Sequence, residues 1–523
     1  MSFSIDQVVP APRGGARPSL VAESLARQRL GAGQVLFFTA AAAAPMTVVA
    51  GATTTGYSVT GVTGIPAAFV LVGAVLVVFC VGFAAMSRRV ANAGALYAYL
   101  TAGLGRPAGV GGALLALAGY NALQISLYGG LGVTATGFFA DECGWHAAWW
   151  VYALGGWAVV AVLGLLKVDL NSRVLAGLLV AEVAVVVLFD AVDLTHPAGG
   201  GLTFTTLSPT NLLHAGIGAG MVLAVTAYIG FEAAVVFSEE VRDPRRTVPT
   251  AIYLTVGLSV LLYAGSAWAM SVAAGPDRIV GLAREQQTET IFTLVAGHLA
   301  ADVVTTARVL FLTSMLAAAI SFHNMVSRYT FSLGREHVLP AWFGRVSQRT
   351  AAPLAGSLTQ SALGLAVVVL TIATGADPLT KLFFWGGMWG GAAILVLLTA
   401  TSAAVVGYFA RHRADAAAET VWRCTIAPAL AAVALAAVLV TAVANFATLL
   451  GVTGDDPLRW QLPALCPLIV AVGVGWALWL RARHPLAYAG IGLGPDAATH
   501  RATHTVTASA GAAHAADRTG AVQ

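Results

Sequence analysis

Charged residues are scarce in this chain of 523 residues. Asp, Glu, Lys and Arg together make up 10% of the sequence, whereas a soluble globular domain carries about 25%. Hydrophobic residues make up 58%, so the sequence predicts a polytopic membrane protein embedded in the lipid bilayer. The net charge of +4 does not indicate a nucleic-acid partner, because the basic residues lie in short loops between apolar segments.

Motifs for metal, redox and hydrolytic chemistry are missing as well. The four cysteines (Cys80, Cys143, Cys424 and Cys466) show no spacing typical of a disulfide set, a zinc site or a redox pair. The chain has no HExxH sequence and no G-x-S-x-G sequence, which would mark a zinc protease or a serine hydrolase. The sequence therefore predicts no metal, no cofactor and no enzymatic activity.

About twelve apolar segments are long enough to cross a hydrocarbon core of about 30 Å. They lie at about 34–56, 65–86, 108–134, 147–167, 172–192, 211–237, 250–273, 302–331, 353–374, 380–409, 425–450 and 460–481. Basic residues such as Arg88, Arg246 and Arg413 recur in alternate loops, whereas the other loops are acidic or neutral. This asymmetry predicts that both termini are cytoplasmic and that the protein lies in the plasma membrane.

The segments divide the chain into an expected order of parts. Residues 1–33 are polar and carry arginines, which predicts a cytoplasmic arm rather than a cleavable signal peptide. Residues 34–194 form a first set of five helices, and 211–409 a second. Residues 425–481 form two accessory helices, and the Ala-, Gly-, Thr- and His-rich stretch 484–523 is predicted to be disordered.

The first apolar segment is interrupted at Pro45, which removes a backbone donor and clashes with the preceding turn. The alanines before it, including Ala43 and Ala44, leave room for a ligand to approach the main chain. After Met46, Thr47 begins the next half-helix, whose free N–H groups point back at the break and favour an anion such as a carboxylate. A simple proline kink is the alternative interpretation.

The sixth apolar segment is interrupted too, at residues 229–231 around Gly230. Helices 1 and 6 are the first members of the two five-helix sets. Interruptions at corresponding positions of two halves point to the midplane site of a transporter. The two interruptions together therefore predict a substrate site between these helices.

Three stretches resemble the amino acid–polyamine–organocation (APC) permeases. They are GFEA at 230–233 with EE at 239–240 and PRRTVP at 244–249, then NAGALYAY at 92–99 with LGRP at 104–107, and RYTFSLGRE at 328–336. The resemblance covers about residues 30–480. It implies an all-α membrane fold with a five-plus-five inverted repeat, in which helices 1 and 6 are broken and helices 11 and 12 are accessory.

The resemblance also implies an α-amino acid or related amine as substrate. Main chain at residues 43–47 would take the carboxylate. Main-chain carbonyls at Ala227, Tyr228, Ile229 and Gly230 would take the ammonium. Thr226 and Phe231 would shape the side-chain pocket.

Protons are favoured over sodium as the coupling ion. Sodium-coupled relatives carry a hydroxyl pair on helix 8 about ten residues before the arginine at Arg328. This chain has Ala317 and Ala318 there, and methyl groups cannot ligate a hard cation. Thr313 and Ser314 lie one turn earlier, which leaves a sodium site open on a shifted register.

Three ionisable residues are candidates for proton coupling, and each has a structural alternative. Glu182 lies in the middle of helix 5, where a buried carboxyl could carry a proton in its neutral form. Glu232 and His323 are the other two. Trp385 and Trp389 on helix 10 are candidate gates, with an interfacial aromatic belt as the alternative.

The sequence therefore predicts a secondary transporter of an amino acid or small amine, coupled to protons and working by alternating access. An exchanger and a transport-dead sensor on the same fold are the alternatives. The charged stretches at 239–246 and 328–349 are predicted to stabilise a state closed to the cytoplasm, or else to be solvated loops.

Overall fold

The computed structural model describes residues 31–497, apart from residues 91, 167, 215, 348 and 351. Nearly all of the predicted cytoplasmic arm, and residues 498–523 of the predicted disordered tail, lie outside the described residues. The chain is built from helices that match the predicted apolar segments. Ten of the described helices are long and apolar enough to cross a membrane, and Trp149–Gly164 and Val168–Thr195 bring the number of bundle helices to twelve.

We number these helices in chain order. They are helix 1 (Gly33–Thr60), helix 2 (Ile65–Ser87), helix 3 (Arg106–Cys143), helix 4 (Trp149–Gly164), helix 5 (Val168–Thr195), helix 6 (Ile217–Val236), helix 7 (Pro244–Ala274), helix 8 (Ala301–Arg335), helix 9 (Leu354–Thr374), helix 10 (Pro378–Arg411), helix 11 (Trp422–Ala444) and helix 12 (Leu458–Arg483).

Helix 1 is broken where the sequence predicts. Its first half ends at Ala42, and Ala44 adopts a left-handed conformation with a φ of 45°. Pro45 explains the break, because a proline ring disfavours the α conformation of the residue before it and suits the first position of a new helix. The second half runs from Pro45 to Thr60 and contains a wider π turn over Val48–Thr53.

Helix 6 is broken at the corresponding place of the second half. Its regular turns end at Tyr228 and resume over Ala233–Val236. Gly230 between them has a φ of 127°, which a residue with a Cβ atom rarely adopts. The two breaks lie against each other, since a Cβ atom on Gly230 would lie 2.8 Å from the carbonyl carbon of Ala42.

The broken helices occupy the middle of the bundle. In the most apolar stretch of helix 6, 89% of the residues are buried, whereas in that of helix 12 only 17% are. Helix 3 packs on both helix 8 and helix 10 beside the breaks, and helix 7 packs on helices 1, 2 and 5. Helices 11 and 12 lie at the periphery, as expected for accessory helices.

The bundle has two ends that differ in their closure. We call the end at which helix 1 begins and helix 12 ends the terminal face, and the opposite end the distal face. The helix Leu96–Leu104 lies near the terminal face. The helices Ile279–Gln286 and Thr290–Ala296 lie at the distal face.

The start of the predicted disordered tail is ordered, which corrects the prediction for residues 485–497. Pro485–Gly490 form a short helix. The main-chain N–H groups of Gly492 and Gly494 donate to the carboxylate of Glu336, over 2.6 and 2.8 Å. Composition favoured disorder, but the docking uses main-chain donors, which composition does not reveal.

Candidate functional site

A cavity of about 110 Å³ lies between the two helix breaks. Six of the residues predicted to bind substrate line it, namely Ala43, Ala44 and Thr47 on helix 1 and Thr226, Ala227 and Ile229 on helix 6. Helices 3, 8 and 10 complete the wall. Apart from four hydroxyl-bearing residues, every lining side chain is apolar or glycine.

The other predicted substrate residues lie behind the lining. Met46 is fully buried, and Tyr228 donates its hydroxyl to the carbonyl of Phe69 over 2.9 Å. Phe231 packs edge-on against Phe79 of helix 2. Phe231, which was predicted to shape the side-chain pocket, does not line the cavity in this conformation, because its ring points into the core. Pro45 and Gly230 shape the main chain of the two breaks without lining the cavity.

The N–H groups at the helix 1 break already have acceptors. Met46 donates to Oε2 of Glu182 over 3.4 Å, and Thr47 donates to the hydroxyl of Ser314 over 3.2 Å. The sequence predicted that these donors face a substrate carboxylate, but in this conformation side chains of helices 5 and 8 hold them. The Thr47 hydroxyl is buried and has no partner within the described structure, so it is available to a ligand.

Glu182 joins three elements at this point. Its Oε2 atom also accepts from the Ser314 hydroxyl over 2.7 Å, and the residue is 2% exposed. A carboxylate at the N-terminal end of a half-helix is favourably placed, because free N–H groups and the helix dipole stabilise an anion there. Glu182 lies next to the cavity but is not among its lining residues.

Glu232 and His323 lie apart from the cavity lining. Glu232 is fully buried and accepts from the Tyr120 hydroxyl and from the Gly230 N–H, each over 3.0 Å. It therefore stabilises the helix 6 break from behind. The His323 ring contacts Ser357 on helix 9 at 2.8 Å and Gln124 on helix 3 at 3.3 Å. These contacts are those of a histidine that joins packed helices.

Trp385 and Trp389, the predicted gates, do not line the cavity in this conformation. Their indole N–H groups donate to the carbonyls of Leu450 and Leu462, over 2.9 Å each, so both rings face the accessory helices. Phe383 and Phe384 line the cavity instead. Helix 10 begins with a π turn over Pro378–Trp385, and a π turn changes which side chains face a given neighbour.

A second, larger space of about 670 Å³ lies at the distal face. It shares Phe383, Phe384, Gly51 and Thr55 with the central cavity. The two phenylalanine rings thus lie at the boundary between the cavity and this vestibule. Charged residues surround the vestibule, among them Arg308, which pairs with Glu289 over 2.8 Å and with Glu142 over 3.3 Å.

Two buried ion pairs close the terminal face. Arg328 pairs with Glu240 over 2.5 Å, and Arg335 pairs with Glu239 over 2.7 Å. All four side chains are at least nine-tenths buried. We call these four residues the terminal latch, since they join the end of helix 6 to the end of helix 8. These four residues are buried rather than part of a solvated loop, although residues 245–246 nearby are exposed.

Glu336 extends this closed region toward the C-terminal segment. Besides Gly492 and Gly494, Asn92 and the hydroxyl of Tyr97 donate to its carboxylate. Burial raises the pKa of Glu336 above its ordinary value, while the hydrogen bonds to Tyr97 and to the C-terminal main chain act in the opposite direction.

These features define the class of protein. Twelve helices, a break at the same place in two five-helix halves and a cavity between the breaks are the features of an inverted-repeat membrane fold. The same fold occurs in the crystal structure of the Eremococcus coleocola manganese transporter, with a TM-score of 0.53 and 14% identity. The alignment covers 90% of this chain and 96% of that one, and at this identity it shows the fold alone.

The chain belongs to the amino acid permease family of the APC superfamily, because the profile of the family described as "Amino acid permease" matches residues 36–472. It is 33% identical over 151 residues to an uncharacterized transporter of Mycobacterium tuberculosis, covering 29% of this chain and 32% of that protein. It is 28% identical over 181 residues to cationic amino acid transporter 7, chloroplastic, of Arabidopsis thaliana, covering 33% and 28%. It is 26% identical over 188 residues to the branched-chain amino acid permease BcaP of Lactococcus lactis, covering 34% and 38%. These matches span about a third of each relative's length.

Proposed function

We propose that this protein is a secondary transporter of a neutral amino acid with a small apolar side chain, and that it couples transport to protons through Glu182. One observation carries the proposal: a cavity between two broken helices meets a vestibule at the distal face and is closed by buried ion pairs at the terminal face. This arrangement suits one state of an alternating-access cycle. It gives the chain the role of a transporter rather than of an enzyme.

The cavity lining supports the substrate class. None of the described lining residues carries a charge. A cationic side chain would lose its hydration there without gaining an ion pair, which is costly in a low-dielectric site. Relatives of this chain include both a cationic amino acid transporter and a branched-chain amino acid permease. The apolar wall and the cavity of about 110 Å³ favour the chemistry of the second.

The substrate's backbone groups have matching partners at the two breaks. The last carbonyls of a helix lack the following turn that would bond to them, so those of Ala227, Tyr228 and Ile229 suit an ammonium group. The free hydroxyl of Thr47 suits a carboxylate oxygen. A bound amino acid would then join helix 1 to helix 6.

Glu182 gives the coupling a physical basis. In its ionised form it occupies the N-terminal end of the second half of helix 1, through the Met46 N–H, and repels a second carboxylate. Once it takes up a proton, that helix end lacks an anion, and the substrate carboxylate can replace it. Proton and substrate would therefore bind together, as symport requires. Sodium is the weaker candidate, since Ala317 and Ala318 offer no oxygen from their side chains.

The remaining parts of the proposal concern placement. The distal face is extracellular and both termini are cytoplasmic, because basic residues concentrate in the loops of the terminal face. The membrane is the plasma membrane. The terminal latch holds the cytoplasmic side closed, and a bundle of helices 1, 2, 6 and 7 rocks against a scaffold of helices 3, 4, 8 and 9 around the breaks.

Transport by purified protein in proteoliposomes tests this proposal. We expect labelled L-leucine or L-alanine to accumulate when the lumen is more alkaline than the outside, and labelled L-lysine not to accumulate. Uptake that needs amino acid inside the vesicles and ignores the pH gradient would identify an exchanger. A complete lack of flux, with any amino acid and any ion gradient, would contradict the transporter proposal.

A further inference from the structure

Helix 5 carries a second carboxyl on the same buried stripe as Glu182. The stripe consists of residues at intervals of three or four, each at most 5% exposed: Leu179, Glu182, Val186, Phe189 and Asp193. A transmembrane helix normally fills such positions with apolar side chains, because an ionisable group is costly there. Acidic residues at two of the five positions therefore need an explanation beyond packing.

Asp193 lies three turns beyond Glu182, toward the distal face. It is 1% exposed, and neither of its carboxyl oxygens has a hydrogen-bond partner in the described part of the chain. Asp190 lies one turn before it on the neighbouring face and accepts from the hydroxyl of Ser266 on helix 7 over 2.8 Å. Two carboxylates one helical turn apart repel each other when both are ionised, so the pair is suited to taking up a proton.

Among the described residues, no lysine or arginine forms an ion pair with Asp190 or Asp193. The elements packed against helix 5 are the two halves of helix 1, helix 7, helix 8 and the helix Thr290–Ala296. Helix 7 contributes Tyr263, which is uncharged, and the adjoining segments of helix 1 contain no ionisable residue. Arg308 of helix 8 pairs with acids of the vestibule. At the distal rim, His196 stacks on His298, with ring centroids 3.8 Å apart.

We propose that Asp193 and Asp190 form a proton path from the distal face to Glu182 that is separate from the substrate cavity. The path rests on the coupling role proposed above for Glu182. Neither aspartate lines the central cavity or the vestibule. A proton could therefore reach the helix 1 break while a substrate occupies the cavity.

Hydroxyl groups of helix 7 occupy the interval between the aspartates and Glu182. Eight residues separate Asp190 from Glu182, which is about 12 Å along a helix. Ser266 contacts Asp190, and Tyr263, one turn before Ser266, donates its hydroxyl to the carbonyl of Ala43 over 2.7 Å. Tyr263 thus ends at the same break as Glu182.

Each transfer moves one proton and leaves the relaying group unchanged. A proton that enters at the distal rim is taken up by Asp193, which passes a proton to the carboxylate of Asp190. The hydroxyls of Ser266 and Tyr263, with intervening water, each accept a proton and release their own. Glu182 ends as the neutral acid, and no bond other than O–H forms or breaks.

Full-length protein in proteoliposomes tests the path, with two measurements on each variant. The first is L-leucine uptake driven by a pH gradient, and the second is exchange of L-leucine at equal pH on both sides. We expect Asp193→Asn and Asp190→Asn to reduce gradient-driven uptake by about tenfold or more, as for the loss of a proton-transfer group, and to leave exchange close to the wild-type rate. Asp193→Glu, which keeps an ionisable carboxyl, should restore part of the gradient-driven uptake.

Asp302→Asn is the matched control, because Asp302 is an exposed acid at the distal end of helix 8. It should leave both rates unchanged. If both aspartate variants keep wild-type gradient-driven uptake while Glu182→Gln loses it, the path is refuted and the coupling role of Glu182 stands. If Glu182→Gln also keeps it, the coupling proposal itself fails. Exchange activity shows that each variant is folded. If Asp193→Asn does not fold, gradient-driven uptake by Asp190→Asn, at a partly exposed position, tests the path.

Discussion

Gly230 is the point at which the two helix breaks meet, and an added methyl group there perturbs the site most directly. Its φ of 127° costs about 1–3 kcal/mol for a residue with a Cβ atom. That Cβ would lie 2.8 Å from the carbonyl carbon of Ala42 and from the amide nitrogen of Ala43. Non-bonded carbon atoms settle about 3.5–4.0 Å apart, so the two main chains must separate by roughly 1 Å.

Overpacking of this kind adds about 1–3 kcal/mol, which gives a total cost of about 2–6 kcal/mol. Part of the cost appears as lost stability and part as displacement of the main chain that lines the cavity. We expect Gly230→Ala to lower the thermal unfolding temperature of the purified protein. It should also raise the Kd for L-leucine by about tenfold or more, since about 1.4 kcal/mol corresponds to a factor of ten. Gly230→Val should abolish uptake.

Gly257→Ala on helix 7 is the matched control, because a Cβ atom there meets nothing within 4 Å. Neither its unfolding temperature nor its Kd should fall outside the wild-type range. Ligand-induced thermal stabilisation measures both quantities in one experiment. Wild-type stability and affinity in Gly230→Ala would refute the inference that the two breaks make a tight main-chain contact at this glycine.

Three further predictions concern coupling, the distal boundary and the terminal latch. Glu182→Gln should make the rate of L-leucine uptake independent of external pH, and a retained pH profile would make Glu182 structural. Phe384→Ala should raise the Kd for L-leucine by about tenfold, as for the loss of a buried aromatic contact. Trp385→Phe should cost about 1 kcal/mol of stability and leave the Kd unchanged. An equal change of Kd in both variants would contradict the inference that Phe384, and not Trp385, faces the cavity. Glu240→Gln leaves a buried arginine unpaired, which costs about 3–5 kcal/mol and should open the terminal face. A cysteine placed at Ser238 should then react faster with a thiol reagent added from that face. An unchanged reaction rate would show that the Arg328–Glu240 pair does not hold the face closed.

The helices and their breaks could be predicted from the sequence because each depends on local chemistry. A span needs only length and apolar character, and the segment predicted at 380–409 is the helix Pro378–Arg411. The two breaks follow from single residues. Pro45 cannot continue a helix, and Gly230 permits a backbone angle that other residues avoid.

The facing of side chains could not be predicted in the same way. Trp385 and Phe384 are neighbours in the chain, yet Trp385 contacts Leu450 in the short helix that follows helix 11, and Phe384 lines the cavity. Successive side chains of any helix point in different directions, and the π turn at the start of helix 10 shifts which of them faces the cavity. The residues of that stretch do not indicate a π turn. Phe231 follows the Gly230 break directly, so its direction depends on how the main chain turns there.

The partners of the break were also hidden, because they come from distant parts of the chain. The sequence indicates free N–H groups at this break. In the structure, Met46 donates to Glu182 and Thr47 donates to Ser314, which lie 136 and 267 residues further along the chain. The sequence indicates Glu182 as a candidate for proton coupling and Ser314 only as part of a sodium site on a shifted register. Their contact with the break, which gives them a common role, needs the folded structure.

That contact also bears on the order in which proton and substrate bind. An ionised Glu182 lies at the same helix N-terminus that a substrate carboxylate would occupy. The two compete, since both anions seek the same N–H groups and the same end of the helix dipole. Substrate entering before the proton would place two carboxylates beside Met46, at a cost that rises in a low-dielectric interior. If Glu182 couples transport as proposed, we expect the proton to bind before the substrate, and the proposed path outside the cavity would allow the proton to be replaced while the substrate is bound.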